Sequence, residues 1–438
     1  MTADVVRHAL TPPVLSERFS TTVSLPIRSG CLLVPLIYGG KMRHYDFPQN
    51  GVHVFALIAG LLLNIAVVVP AEAVPLNYKL TILPDLPGGV DRSIGNDVND
   101  QGQVAGQSLT STGWRAFRWD PVTGTMLDLG DLPGGDDSSF ARGINNAGQV
   151  TGESGASADF QAFIWNESTG LQSLGGLPGG LNHSIGQGIN DQGQVTGYGK
   201  IGTTNHAFVW DPDTGTMLDI GDLPDGTDES FGYGINEQGQ ITGQSGAATG
   251  LRAFVWDPDT GIMQDLGDLP GGSDSSIGND INSTGHVTGT SGAASGNRAF
   301  VWDPDTGLMI DLGDLPGGSD QSAGLGINDA GLIVGNAFSD LGLRAVLWDS
   351  DLQIFDLNDL VLDLQGFTLI EAFSVSDFGY ITGYGITPLG ITRAFLLAPV
   401  PIIGSLPLFT SALMLLGIFA GSRRQLLPRV LARSAYNK

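Results

Sequence analysis

Cysteine is all but missing. Cys31 is the single one in 438 residues, so neither a disulfide framework nor a thiolate metal site is available. Positive charge is scarce: 20 Lys and Arg stand against 45 Asp and Glu, a formal charge of −25. A chain this acidic lacks the basic footprint that nucleic acid requires. Histidine is thin, and only His183, His206 and His286 fall in the long middle region, at three unrelated positions of its pattern. No G-x-S-x-G elbow, H-E-x-x-H pair or phosphate loop occurs. Helix-period segments are absent from the middle of the chain. These gaps leave no constellation that reads as catalytic, so the expectation is a protein that is not an enzyme.

Glycine is what the chain has in excess. Its 65 residues are about twice the usual ~7%. They lack the three-residue period of collagen, and 41% hydrophobic content belongs to a folded chain rather than a fibre or a disordered one.

Two apolar segments bracket this region. Residues 54–69, interrupted only by Asn64, precede Ala71-Glu72-Ala73. A short apolar core followed by small residues describes a secretory signal peptide cut after Ala73. The other reading, a retained anchor, meets a segment short for a span of ~20 residues. Met42-Arg43-His44 sits where the charged start of such a signal belongs. Residues 1–41 are therefore read as an extension upstream of the true start, or else as an unusually long n-region, and residues 42–73 as the signal peptide. At the far end, residues 401–421 carry no charge, and Arg423, Arg424, Arg429, Arg433 and Lys438 follow. That is long enough for a transmembrane helix, with its basic tail (425–438) kept cytoplasmic. The region 74–399 is then expected outside the cytoplasm.

The middle is one unit repeated. Trp119, Trp165, Trp210, Trp256, Trp302 and Trp348 keep a step of about 46 residues, as do Asn99, Asn145, Asn190, Asn236, Asn282 and Asn328. A period of ~40–50 means a propeller or a solenoid. In the fifth unit, residues 276–282, 286–291, 298–303 and 308–312 read as four short strands, with 292–297 a loose connection and Pro304-Asp305-Thr306-Gly307 a tight turn. Four strands per repeat is the blade of a β-propeller. The third strand, Arg298-Ala299-Phe300 in this unit, recurs for the seventh time with Arg393-Ala394-Phe395, and no full fourth strand follows it. The missing strand stands at the other end, where residues 79–83 precede Asp85-Leu86-Pro87-Gly88-Gly89. The predicted fold is all-β: a seven-bladed β-propeller of ~46-residue repeats, closed by an N-terminal strand that completes the last blade. The tryptophans are expected as core between blades.

The repeats resemble the HAF family of extracellular repeats. The tripeptide is His206-Ala207-Phe208, becoming Arg-Ala-Phe at Arg115, Arg252, Arg298 and Arg393, and Gln161-Ala162-Phe163 once. The Gly-Ile-Asn and Leu-Gly-x-Leu-Pro-Gly-Gly stretches match as well, over about residues 80–401. The C-terminus (400–424) resembles a PEP-CTERM sorting signal: Pro399-Val400-Pro401, an apolar span, then Arg423-Arg424. Its Pro motif lacks the family's glutamate, and residues 425–438 extend past the arginines. These resemblances imply export in a bacterium, processing by an exosortase-type enzyme, and a structural or adhesive role in the extracellular matrix, with polysaccharide or surface proteins as partners. They imply no activity.

Charge in residues 74–398 is patterned. Removing the five basic and four acidic residues of 1–73, and the five basic residues after 398, leaves 10 Lys and Arg against 41 Asp and Glu. Asp91, Asp137, Asn182, Asp228, Asp274 or Asp320 follows each Leu-Pro pair. Ser93, Ser139, Ser184, Ser230, Ser276 or Ser322 comes two residues later. Glycine beside them suits a crowded innermost strand, which would place the aspartates around one mouth of a central channel. Two readings are open. Clustered carboxylates suit a hard cation such as Ca²⁺, and an Asx turn uses the same residue for local structure. Thr368 and Ile370 break the pattern in the seventh unit, where residues 365–371 offer few reactive groups. The Asp257 and Asp303 turns lack the third acid of a calcium loop. A carboxylate pair for glycan hydrolysis has no candidate that stands out from the repeat.

Overall fold

In a computed structural model, the described residues are 32–38, 41–47 and 77–400, apart from 136, 157 and 158. The signal-peptide core, the C-terminal apolar span and the basic tail lie outside them. Among the described residues, no helix is long and apolar enough to cross a membrane. The chain divides into two units, 1–71 and 72–438. In the first, Leu32–Tyr38 pairs antiparallel with Lys41–Phe47, a hairpin that crosses the boundary drawn at Met42.

The second unit is a seven-bladed β-propeller. Each blade is a four-stranded antiparallel sheet. Blades 1 to 6 occupy residues 89–128, 139–175, 184–219, 230–265, 276–311 and 322–356, and blade 7 takes 368–399. The fourth strand of blade 7 is Tyr78–Ile82, which pairs with Thr392–Pro399 from Tyr78↔Pro399 to Ile82↔Phe395. The N-terminal strand thus closes the ring, as the offset of the repeats predicts. Closure leaves no open end of the ring to fray. The first strands of successive blades touch in an unbroken cycle around the axis.

The repeat folds this way because its strands are short and its breaks are chemical. Asp303 accepts the backbone N–H of Asp305 at 2.8 Å and the Thr306 hydroxyl at 3.0 Å, and Gly307 takes φ +67°. That turn ends the third strand and starts the fourth. The connection expected to be loose at 292–297 is instead a tight hairpin. The second strand runs to Ala293, the third begins at Gly296, and those two residues pair. Gly296 at φ +153° lets the chain reverse there without a longer loop.

The core lies between blades. At the junction of blades 3 and 4, Ala207 and Val209 meet Ile235, Ile241, Phe254 and Trp256. Five of the six periodic tryptophans are buried and Trp210 is partly so, which bears out their reading as core. A one-turn helix, Leu357–Leu360, capped by Asp356, fills the junction of blades 6 and 7 with Leu357 and Leu360. It is the one departure from an all-strand repeat among the described residues of this unit.

Candidate functional site: the two mouths of the central channel

The inner strand of every blade carries a β-bulge at one address. The register shifts between Gly95 and Asp97, and at the matching place in the six other blades. A bulge drops one residue from the ladder and re-aims its side chain. Here the dropped residues are Asn96, Arg142, Gln187, Tyr233, Asn279, Leu325 and Phe373, and all seven line one channel cavity. Close approach of the inner strands explains the glycines that flank them, as the sequence suggests. A Cβ on Gly234 would stand 2.9 Å from Asp280 Cα, and one on Gly326 would stand 2.8 Å from the Phe373 carbonyl oxygen.

One mouth is built from the asparagine turns. Asn236 Oδ1 accepts the backbone N–H groups of Gln238 and Gln240 at 3.1 and 2.9 Å. Its Nδ2 donates to the carbonyl of Asn282 in the next blade at 3.0 Å. The same cross-blade bond joins Asn99 to Asn145, Asn145 to Asn190, Asn190 to Asn236, Asn282 to Asn328, and Asn328 to Ser376. Ser376 replaces the asparagine in blade 7, and its buried Oγ has no partner. Each turn residue is therefore also a clasp between blades.

Outside this ring lies a second one, at the next residue of each turn. Asp100 N–H donates to Asn146 Oδ1, Asn146 N–H to Asp191, Asp191 N–H to Glu237, Ser283 N–H to Asp329, and Asp329 N–H to Asp377, all at 2.7–2.9 Å. Burial raises the carboxyls of Glu237 and Asp377, and the neighbouring acids add to it. Among the described residues, no Lys or Arg lines this cavity.

Asp97 and Asp280 occupy the waist and border both cavities. They stand where Gly143, Gly188, Gly234 and Gly326 stand in other blades. Asp97 accepts the Ser374 hydroxyl at 2.5 Å and the Ile144 N–H at 2.7 Å. Asp280 accepts the N–H groups of Ile281 and Ile327, both at 2.9 Å. Burial pushes these carboxyls up to about 6 and about 7 against the resisting hydrogen bonds.

The other mouth is aromatic. Tyr198 meets Phe231 edge-on at 4.9 Å, and Phe231 stacks on Tyr233 at 6.4 Å. Phe373 lies 5.9 Å from Tyr384. Trp114, Phe140 and Phe160 follow one another at 6.5 and 6.1 Å. All of these rings are half-buried, whereas Phe117, Phe163, Phe208, Phe254, Phe300 and Phe395 of the core are fully covered. Arg142 is held by buried Glu153 at 3.1 and 2.6 Å. Burial raises the Glu371 carboxyl, which faces Tyr384.

The patterned aspartates do not ring either mouth. They meet the Arg or His that opens the tripeptide of the preceding blade around the ring. Arg115 reaches Asp128, Asp131 and Asp137 at 3.4, 2.9 and 3.4 Å. Arg298 reaches Asp311, Asp314 and Asp320 at 3.3, 2.9 and 3.8 Å. Arg252 meets Asp268 and, at 3.4 Å, Asp274. Arg393 meets Asp85 and Asp91, and His206 meets Asp219 and Asp228 at 3.1 and 3.6 Å. Where the cation is missing the acids go with it: Gln161 accepts a hydrogen bond from Ser173 at 2.6 Å, and the following position is exposed Asn182. The Asx turn is not their role either. Asp91, Asp137 and Asp320 take φ of 61°, 55° and 51° and face the guanidinium. The residues weighed for calcium thus carry partners from their own chain. Among the described residues, no three His, Cys, Asp or Glu gather as metal ligands would.

The serines are cross-blade bridges. Ser139 Oγ accepts the Ala116 N–H at 3.0 Å and donates to the Gly130 carbonyl at 2.7 Å. The alanine N–H of the tripeptide donates the same bond to Ser184, Ser230, Ser276, Ser322 and Ser93 in the other blades. The histidines stay apart: His183 lies 2.8 Å from Asp159, His206 joins the tripeptide cluster, and His286 sits by Thr284 and Asp303. The seventh unit, poor in candidates by sequence, supplies Phe373 and Ser374 to the channel cavity, with Tyr384 against Phe373.

No family model matches the sequence, and no curated protein matches it. Solved structures do. TolB from Acinetobacter baumannii is 11% identical with a TM-score of 0.40, over 72% of this chain and 65% of TolB. An oligogalacturonate lyase in complex with manganese is 11% identical with a TM-score of 0.42, over 74% of this chain and 97% of the lyase. Trypanosoma rangeli sialidase in complex with the inhibitor DANA is 10% identical with a TM-score of 0.34, over 70% of this chain and 61% of the sialidase. The chain spans just under two thirds of TolB's length. At these identities the likeness is one of fold. The class, a seven-bladed β-propeller, rests on the seven four-stranded sheets themselves.

Proposed function

We propose that this protein is an exported propeller of the HAF type that binds a ligand at its aromatic mouth and serves a structural or adhesive role in the extracellular matrix. One observation carries the reading. Positions that hold the blades together repeat from unit to unit, while the bulge residues that face the channel do not. Asn, Arg, Gln, Tyr, Asn, Leu and Phe occupy one address. A scaffold role needs no such variety, and a ligand without sevenfold symmetry does. The tripeptide itself is structural chemistry: a cation that collects acids, an alanine that bonds the next blade, a phenylalanine in the core. We read binding rather than catalysis because the two raised carboxyls that line the aromatic-side cavity, Asp97 and Asp280, already have each oxygen engaged by a backbone N–H or by Ser374. Export, the PEP-CTERM-like tail and its exosortase-type processing belong to the same proposal, and polysaccharide or surface protein is the ligand pool.

The test is capture of native envelope material by the purified protein and by its Tyr233→Ala and Phe373→Ala variants. Capture that both variants lose supports the aromatic mouth as the site. Capture that neither variant changes contradicts it.

A further inference from the structure

We propose that the ligand of the aromatic mouth is an uncharged glycan strand. This rests on the binding role argued above and adds the chemical class.

The rings supply the first part of the argument. Tyr198, Phe231 and Tyr233 form one group, and Phe373 and Tyr384 another. Each ring is only half covered. Rings with one packed and one accessible side suit the apolar C–H face of a pyranose, and the phenol hydroxyls supply a polar end. The cavity beneath, about 260 Å³, lies a little below the ~300–1,000 Å³ of ordinary small-ligand pockets and would take only part of a strand.

Amides supply the second part. Gln187 has no side-chain partner among the described residues, and Asn279 uses only its Nδ2, on the Gly324 carbonyl at 2.7 Å. Gln244 donates to the Tyr233 hydroxyl at 3.1 Å, and its Oε1 is buried without a donor. Amides present donors and acceptors together, the combination that vicinal hydroxyls match.

Charge decides between glycans. An anionic polymer would meet a protein of formal charge −25 and two carboxylates at the waist. Arg142, the guanidinium inside the cavity, is already taken by Glu153. A cationic polymer would meet Arg142 and Arg92, the latter 5.2 Å above Trp114, before it reached Asp97 and Asp280, whose oxygens are engaged. An uncharged strand meets none of these penalties. A peptide adding to the sheet is disfavoured for another reason. The bulge interrupts every inner strand, so none offers a regular edge to extend.

The experiment uses the full-length protein in mild detergent. Its probes are neutral hexasaccharides (gluco-, xylo- and manno-configured), a uronic acid hexamer, a glucosamine hexamer and a proline-rich peptide. Affinity is read by calorimetry. At least one neutral hexasaccharide is expected to bind. Tyr233→Ala and Gln187→Ala should each weaken it, the first by about tenfold or more, with circular dichroism unchanged. Binding should shift less than about twofold between about 50 and 500 mM salt. Preference for the uronate, the glucosamine hexamer or the peptide, or no binding by any probe, overturns the proposal. If envelope capture is lost in Phe373→Ala but the captured material is protein, the glycan class fails while the binding role stands. If capture survives both Tyr233→Ala and Phe373→Ala, the binding role itself fails.

Discussion

The two mouths of the channel are made by the same inner strands, yet they obey different rules. At the asparagine mouth each blade repeats its neighbour, and nearly every polar group there is engaged by the next blade. At the aromatic mouth the neighbours differ, and several polar groups have no partner among the described residues. The difference is positional. Residues that follow the bulge return to the ladder and must satisfy the adjacent blade. The bulge residue is released from the ladder and is free to vary. Seven copies of one unit thereby give one face that holds the ring and another that need not be symmetric.

The largest expected effect bears on both mouths at once. Deleting residues 74–84 removes the strand that buries Tyr78, Leu80 and Leu83 and closes blade 7. The loss should be on the order of 5 kcal/mol or more, read by urea denaturation. An unchanged midpoint would mean that closure contributes little. Next comes the exception among the bulge residues. Arg142→Ala leaves Glu153 buried without its cation and should cost about 3–5 kcal/mol. A double change with Glu153→Gln should recover most of that loss. If Arg142→Ala is neutral, the pair has no structural role. At the other mouth, Asn236→Ala removes two turn bonds, one cross-blade bond and one bond to the Gln240 side chain, and about 2–3 kcal/mol should go with them. A loss below ~0.5 kcal/mol would show that the clasp is not what that face is for.

The waist gives a smaller effect, with a sign. Asp97 and Asp280 hold their protons to about 6 and about 7 in the folded chain, above the ordinary value of 3.8 for an unfolded aspartate. Their contribution to stability is thus fully present below about pH 4 and is lost as pH rises through 6 to 7. Their channel side is partly accessible, so the loss is on the order of 2 kcal/mol each after discounting for solvent. Asp97→Gly with Asp280→Gly restores the residue of the other blades. Relative to the wild type, that variant should gain stability between pH 4.5 and pH 8. A constant difference between the two proteins across this range would show that the carboxyls titrate normally.

Much of this architecture is legible in the sequence, because repetition exposes it. The step between Trp119 and Trp348, and the strand orphaned at residues 79–83, suffice for seven blades and for their closure. The tryptophans are core for the same reason. Contacts between repeats are harder to see. Asp137 reads as a channel residue or a turn former until Arg115 is found beside it. The signal for that pairing is covariation within the chain, since Gln161 comes with Ser173 and Asn182 where other blades have a cation and acids. The bulge leaves no mark in strand alternation, because glycine-rich inner strands have no clear period. Its trace is a column that varies between fixed neighbours, from Asn96 to Phe373. Asp97 and Asp280 were detectable as the two acids in a column of glycines.

The division of labour between repeated and varied positions is tested most directly by making the varied column uniform. Gln187, Tyr233, Leu325 and Phe373 are changed together to asparagine, the residue of blades 1 and 5, and Arg142 is left in place for Glu153. Thermal unfolding and capture of envelope material are measured on the same protein. A midpoint within a few degrees of wild type, about 1 kcal/mol for a chain of this size, together with loss of capture, is the expected result. Intact capture, or collapse of the fold, would contradict the assignment of that column to binding.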